Sequence, residues 1–215
     1  MVAAVVFDIF GTLLKIENRQ QPYLRLLREG KRQGRAVSPR DVQTLMTFAG
    51  NLADLAEHLE IELLPSQRAK LQAALDLELR SMQTYDDAWP AIELLAARGI
   101  KIAVCSNLAW DYCEKARLLL PGLDAYALSS ECGLMKPDPM IYRHVCSALG
   151  VQPGNPADTD PGRVLMVGDS RKCDEQGPRA CGILGYHLDR GGAGPLKSLL
   201  DFSAAVVESL DVEQE

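Results

Sequence analysis

Apolar residues cluster at the start of the chain in Val5-Val6-Phe7, and the run ends on Asp8 just before Gly11-Thr12. This pattern predicts a buried strand over 2–8 that delivers a carboxylate to a tight glycine turn. Over 17–85 the spacing changes to a helical period. Leu24 and Leu27 share a face, and the basic, glycine-containing stretch 29–35 interrupts that first helix. Ser38 followed by Pro39 reads as an N-cap and first helical position. Leu52, Leu55, Ala56 and Leu59 form a second stripe. After Pro65, Ser66 reads as the cap of a last helix striped by Leu71, Ala74, Leu75, Leu79 and Met82. About four helices result, with packing as the plain reason for their stripes.

From residue 86 strands and helices alternate. Helices are predicted over 89–98, stopped by Gly99, over 110–120, stopped by Pro121-Gly122, and over 138–149, stopped by Gly150. Further helices fall over 174–181 and about 196–210. Strands are predicted over 100–105, 125–128, 164–167 and 183–188, and the Pro/Gly/Asp-rich stretch 151–162 reads as a surface loop. This alternation predicts an α/β fold with a doubly wound parallel sheet and right-handed crossovers. The expected core is 1–16 with 86–215, and the expected all-helical insert is 17–85. Ligands on such sheets bind outside the carboxyl ends of the strands. Asp8, Ser106 and Asp169 each end a predicted strand, so all three should meet on one rim.

Composition changes this picture little. The 215 residues are 47% hydrophobic and 24% charged, which fits one substantial core with a smaller insert. The net charge of −6 disfavours a nucleic-acid partner. No apolar run approaches a membrane span, and no basic leader precedes an apolar core at the start, so a cytoplasmic location is the expectation. The six cysteines (105, 113, 132, 146, 173 and 181) include no C-x-x-C pair and read as reduced thiols. The three histidines are scattered, which leaves little for a histidine-based zinc site or a catalytic triad.

Four short motifs stand in order: Asp8-Ile9-Phe10-Gly11-Thr12-Leu13, Ser106-Asn107, Lys136-Pro137-Asp138-Pro139, and Gly168-Asp169-Ser170 with Asp174. Together they resemble the haloacid dehalogenase (HAD) superfamily, in the branch with a helical C1-type cap after the first motif. The resemblance spans nearly the whole chain. It implies a HAD-like, Rossmannoid core and a hydrolase that uses Asp8 as nucleophile through a covalent aspartyl intermediate. It further implies that Lys136 bridges Asp8 and the substrate anion, and that Thr12 holds the nucleophile loop. Ser106 and the Asn107 amide would hold oxygens of the transferring group. Mg²⁺ would sit between Asp8, the Phe10 carbonyl, Asp169 and Asp174. The implied partner is a small, anionic substrate. Oligomeric state is left open.

One position departs from the family's phosphatase pattern. The acid–base aspartate expected two residues after the nucleophile is Phe10, next to any substrate and unable to transfer a proton. Such help is worth roughly 10²–10⁴ in rate. The 2-haloacid dehalogenases of the superfamily carry an aromatic residue there and release a halide without protonation. Tyr142, six residues after Lys136, matches a tyrosine of their pattern, and Arg35 or Arg40 offers a carboxylate-binding cation. Against them, Asp169 supplies the metal-binding carboxylate of a phosphatase. The expectation is therefore a Mg²⁺-dependent phosphohydrolase. Its leaving group would depart unprotonated, as from an acyl or aryl phosphate, or would take its proton from the cap or the substrate. A Schiff base on Lys31 or Lys70 is a further route. A metal-independent dehalogenase and a non-catalytic ligand-binding member stand as alternatives.

Overall fold

A computed structural model of the chain describes residues 2–36, 38–154 and 163–212. The strands are β1 (Val2–Phe7), β2 (Leu14–Ile16), β3 (Met82–Thr84), β4 (Lys101–Ser106), β5 (Ala125–Leu128), β6 (Arg163–Gly168) and β7 (Leu184–His187). The first helices are α1 (Pro22–Arg32), α2 (Pro39–Thr47), α3 (Leu52–His58) and α4 (Pro65–Arg80), all between β2 and β3. There follow α5 (Ala88–Ala96), α6 (Cys113–Leu119), α7 (Ser129–Cys132), α8 (Pro139–Leu149), α9 (Gly177–Arg179) and α10 (Leu199–Val212). Of the expected 151–162 loop, residues 155–162 lie outside the described part.

Five parallel strands run in the order β5-β4-β1-β6-β7, with β1 at the centre. Alternate residues of a strand face opposite sides of a sheet. Val5 and Phe7 of β1 therefore join one buried cluster with Ile102, Val104, Leu165 and Val167, under Leu95 of α5 and Phe202 of α10. Ala4 and Val6 join the other with Ala103, Cys105, Val164 and Met166, under Ile141, Val145 and Leu149 of α8. Burial on both faces explains why the strands read as continuous apolar runs. All six cysteines are unpaired, and no helix among the described residues is long and apolar enough to cross a membrane.

Several local expectations are corrected. The stretch 29–35 ends the first helix later than expected: α1 continues through Gly30 to Arg32, and a Cβ at Gly30 would stand 2.8 Å from Ile61 Cδ1, so glycine admits a close contact. Ser66 is not a cap. Pro65 opens α4, and the Gln67 side chain accepts from the Leu64 N–H (2.8 Å). Met82 leaves the helical stripe and starts β3, which pairs antiparallel with β2. This two-stranded ribbon joins the helical insert to the sheet. The helix expected over 110–120 is a 3₁₀ turn (Trp110–Tyr112) followed by α6. That expected over 174–181 is a π-helical turn (Arg171–Gln176) followed by α9. At the last helix, the Ser198 hydroxyl accepts from the Leu200 and Asp201 N–H groups, which sets its start at Leu199.

Candidate active site

The carboxyl ends of β1, β4 and β6 bring the separated motifs together. Asp8 follows β1 directly, 6% exposed, with its N–H donating to Val167 O (3.0 Å). The chain then turns back: the N–H groups of Thr12, Leu13 and Leu14 all donate to Ile9 O. Gly11 takes φ +82° in this turn, and a Cβ there would lie 2.1 Å from Asp169 Oδ2. Gly168 is constrained more tightly, since a Cβ would lie 2.3 Å from Asp174 Oδ2 and 2.7 Å from Asp8 Cβ. The two glycines let three acids converge. One carboxylate oxygen from each of Asp8, Asp169 and Asp174 falls within 4.8 Å of the others.

Lys136 lies at the centre of this charge. Its Nζ donates to Asp8 Oδ1 (2.7 Å) and Asp174 Oδ1 (2.6 Å), with the lysine only 2% exposed. Burial alone would depress the ammonium, but the two carboxylates outweigh it and hold Lys136 above its ordinary range. Asp174 is fully buried, and the Ser170 N–H donates to its Oδ2 (2.9 Å). Burial and then the Asp8 charge, opposed by Lys136, push its carboxyl up to about 6. Asp169 reaches solvent at the rim. Partial desolvation and the Asp8 charge raise its carboxyl too.

The other expected residues take definite places. Ser106 is buried at the end of β4, beside β1. Thr12 Oγ1 makes a long contact (3.5 Å) to Asp8 Oδ2. The Asn107 side chain is committed elsewhere than to an open site: its Nδ2 donates to Lys136 O (2.9 Å) and its Oδ1 accepts from Lys136 N (2.7 Å). This two-point clasp fixes the backbone of the lysine, which precedes the cis Lys136–Pro137 bond. The Tyr142 hydroxyl donates to Cys173 O (2.6 Å) and the ring is buried under the sheet, so Tyr142 braces the turn that holds Asp174. Arg35 pairs with Asp41 (2.6 Å). Arg35 and Lys70 line two grooves that share no residue with the pocket beside the site, while Lys31 and Arg40 are exposed on the insert.

That pocket, about 300 Å³, lies between the helical insert and the loops after β1 and β4. Phe10, two residues after Asp8, and Asn107, bonded to Lys136, both line its wall. The Phe10 ring packs edge-on against Tyr112, centroids 5.6 Å apart and planes at 89°. Sequence reasoning missed three residues here. Glu78 of α4 is buried and accepts from the N–H groups of Gln20 (2.5 Å) and Gln21 (2.7 Å) and from the Tyr112 hydroxyl. Arg19 lines the mouth, close enough to Asp169 for its charge to act on that carboxyl. Arg190 donates to Thr12 O (2.7 Å) and forks onto both Asp87 oxygens, which ties the loop after Asp8 to α5. A helical period marked Glu78 only as polar, and no local pattern marked the two arginines, because their partners are up to 178 residues away.

Known proteins resemble this chain in sequence and fold. The chain is 30% identical over 131 residues to a phosphoserine phosphatase of Thermus thermophilus, covering 59% of this chain and 49% of that protein. The aligned part thus spans about half of that relative. It is 25% identical over 166 residues to the (S)-2-haloacid dehalogenase 4A of Burkholderia cepacia, covering 70% of this chain and 71% of that one. A solved HAD phosphatase from Thermococcus onnurineus superposes with a TM-score of 0.66 at 22% identity, over 95% of this chain and 98% of that one, which speaks for the fold alone. The profile of the haloacid dehalogenase-like hydrolases matches residues 2–182, and the chain belongs to that family.

Proposed function

We propose that the chain is a Mg²⁺-dependent phosphohydrolase of small phosphorylated substrates, acting through Asp8. The observation that carries this reading is the convergence of Asp8, Asp169 and Asp174 within 4.8 Å. Lys136 offsets part of their charge, and an anionic substrate would meet the remainder. Hard oxygen donors from three carboxylates suit Mg²⁺, and the Phe10 carbonyl would complete the set. Bound there, that ion would supply charge neutralisation for the phosphoryl group.

The chain's own residues account for the rest. Asp8 presents the oxygen that attacks phosphorus. Lys136, anchored by Asn107, donates to Asp8 and offsets the approach of one anion to another. The Ser106 hydroxyl and the Asn107 backbone N–H would hold phosphoryl oxygens. We place the cap at residues 17–85 on a core of 1–16 and 86–215, with the β2–β3 ribbon as its stalk. The resemblance to a phosphoserine phosphatase supports phosphate ester hydrolysis as the reaction class.

Phe10 favours a second reading, 2-haloacid dehalogenation, because its ring packs on Tyr112 where a proton donor is expected. A panel of phosphoesters and haloacids, assayed with Mg²⁺ and with chelator, separates the two. Phosphate release that needs Mg²⁺ and is lost in Asp8→Asn is expected. Halide release that survives chelation would move the assignment to dehalogenase, and phosphate release indifferent to chelation would sink the metal-dependent reading.

A further inference from the structure

We infer that the substrate is the phosphate monoester of a phenol-class alcohol, whose apolar body lies in the pocket between Phe10 and the helical insert. The inference rests on the phosphohydrolase reading and narrows it to one leaving-group class. The pocket wall is mainly apolar: Phe10, Leu24, Leu27, Leu45 and Met46 line it with Tyr112. Its volume of about 300 Å³ lies at the lower end of the ~300–1,000 Å³ usual for small-molecule sites, enough for one or two rings. A sugar or polyol body would find few partners on such a wall, and each hydroxyl buried unpaired would cost roughly 1–3 kcal/mol.

The lining groups able to hold a proton are also spoken for. The Tyr112 hydroxyl donates to Glu78, and Tyr23 donates to Asp111 Oδ2 (2.6 Å). The Glu78 carboxylate accepts three hydrogen bonds, from the Gln20 and Gln21 N–H groups and the Tyr112 hydroxyl. Asn107 is clasped to Lys136. Phe10 has no proton to give. Arg19 makes no ion pair among the described residues, so it can meet the phosphoryl anion at the mouth. The leaving oxygen must then depart as its anion, which a phenolate does and an alkoxide does not.

The balance is complete without a protein acid. An Asp8 oxygen bonds to phosphorus, the phosphorus–oxygen ester bond breaks, and its electron pair leaves on the phenolate. Water then bonds to phosphorus, the bond to Asp8 breaks and restores the carboxylate, and the water's proton passes to solvent or to the phosphate. No group on the pocket wall is free to take the water's proton, so the second step should limit turnover and phosphorylated Asp8 should accumulate.

The test uses the full chain with Mg²⁺ and four esters: p-nitrophenyl, phenyl, 1-naphthyl and glycerol phosphate. Both aryl esters with simple rings should exceed glycerol phosphate in kcat/KM by at least ~10²-fold, the gap general-acid help would have closed. 1-Naphthyl phosphate, with a leaving group like phenol in basicity but more apolar area, should bind better than phenyl phosphate by about three- to tenfold in KM. Leu24→Gln and Val42→Gln, both on exposed pocket-rim residues, should shrink that naphthyl advantage over phenyl phosphate. Phe10→Asp should reduce the aryl-to-glycerol gap. A glycerol phosphate rate equal to the aryl rates, or a naphthyl advantage untouched by both rim variants, would overturn the inference while leaving the phosphohydrolase standing. No Mg²⁺-dependent release from any of the four would overturn both.

Discussion

Replacing Lys136 with methionine removes the one cation between two buried carboxylates and keeps the apolar stem. At an effective dielectric near 20, a charge pair at 2.7 Å is worth about 6 kcal/mol before desolvation is subtracted. Truncating one member of such a buried pair typically costs ~3–5 kcal/mol, because the partners are left uncompensated. The loss should depend on pH. Burial and the Asp8 charge already push Asp174 up to about 6, and without Lys136 it rises further. A carboxyl with a raised folded pKa holds its proton more tightly in the folded chain. Its favourable contribution is therefore complete below the unfolded value of ~3.9 and is lost as pH rises through the folded value. One proton held over two pH units is worth ~2.7 kcal/mol. Lys136→Met in chelator should thus lose ~4 kcal/mol at pH 7.5 and ~1–2 kcal/mol at pH 5.5. Thermal melts read this as a Tm drop of about 8–16 °C at the higher pH, which should shrink by more than half at the lower. A loss under ~1 kcal/mol, or one equal at both pH values, would refute the charge account of the site.

Asn107→Ala removes both hydrogen bonds that fix the Lys136 loop; kcat should fall about 10- to 100-fold with a smaller change in KM, and equal kinetics would show the clasp is idle. Gly168→Ala drives a methyl into Asp8 and Asp174, so a loss of ~1–3 kcal/mol or more in urea unfolding is expected, with weakened Mg²⁺ binding by titration calorimetry. Arg190→Ala unties Thr12 from Asp87. Burial pushes the Asp87 carboxyl up, but the Arg190 fork and the Leu199 N–H outweigh it and hold it below its usual value. The stabilisation is then present above pH ~4 and lost as pH falls below it. The variant should be weaker by ~1–3 kcal/mol at pH 7 and should approach the parent below pH ~3, as followed by urea unfolding.

The central sheet was legible because both its faces are buried. Val5–Phe7, 102–105 and 164–167 are runs too apolar and too short for anything but inner parallel strands, and their ends place Asp8, Ser106 and Asp169 on one rim. The β2–β3 ribbon was not legible, since three residues per strand carry no period and Met82 also fits a helical stripe. The π-helical turn at Arg171–Gln176 follows from tertiary demands: Asp174 must face Lys136 while the Tyr142 hydroxyl reaches Cys173 O. The same holds for Asn107. Its expected contribution was the backbone amide, and nothing local marked its side chain, whose partner is a backbone loop 29 residues on. Tyr142 matched a spacing in one dimension and proved to be a brace in three.

A single-turnover reaction in heavy-oxygen water tests the role of Asp8 most directly. With p-nitrophenyl phosphate and Mg²⁺, acid quenching should capture a phosphoryl group on the peptide bearing Asp8. The heavy oxygen should then appear in the released phosphate and be absent from the Asp8 carboxylate. No covalent adduct, or heavy oxygen incorporated into the Asp8 side chain, would contradict phosphoryl transfer through this residue.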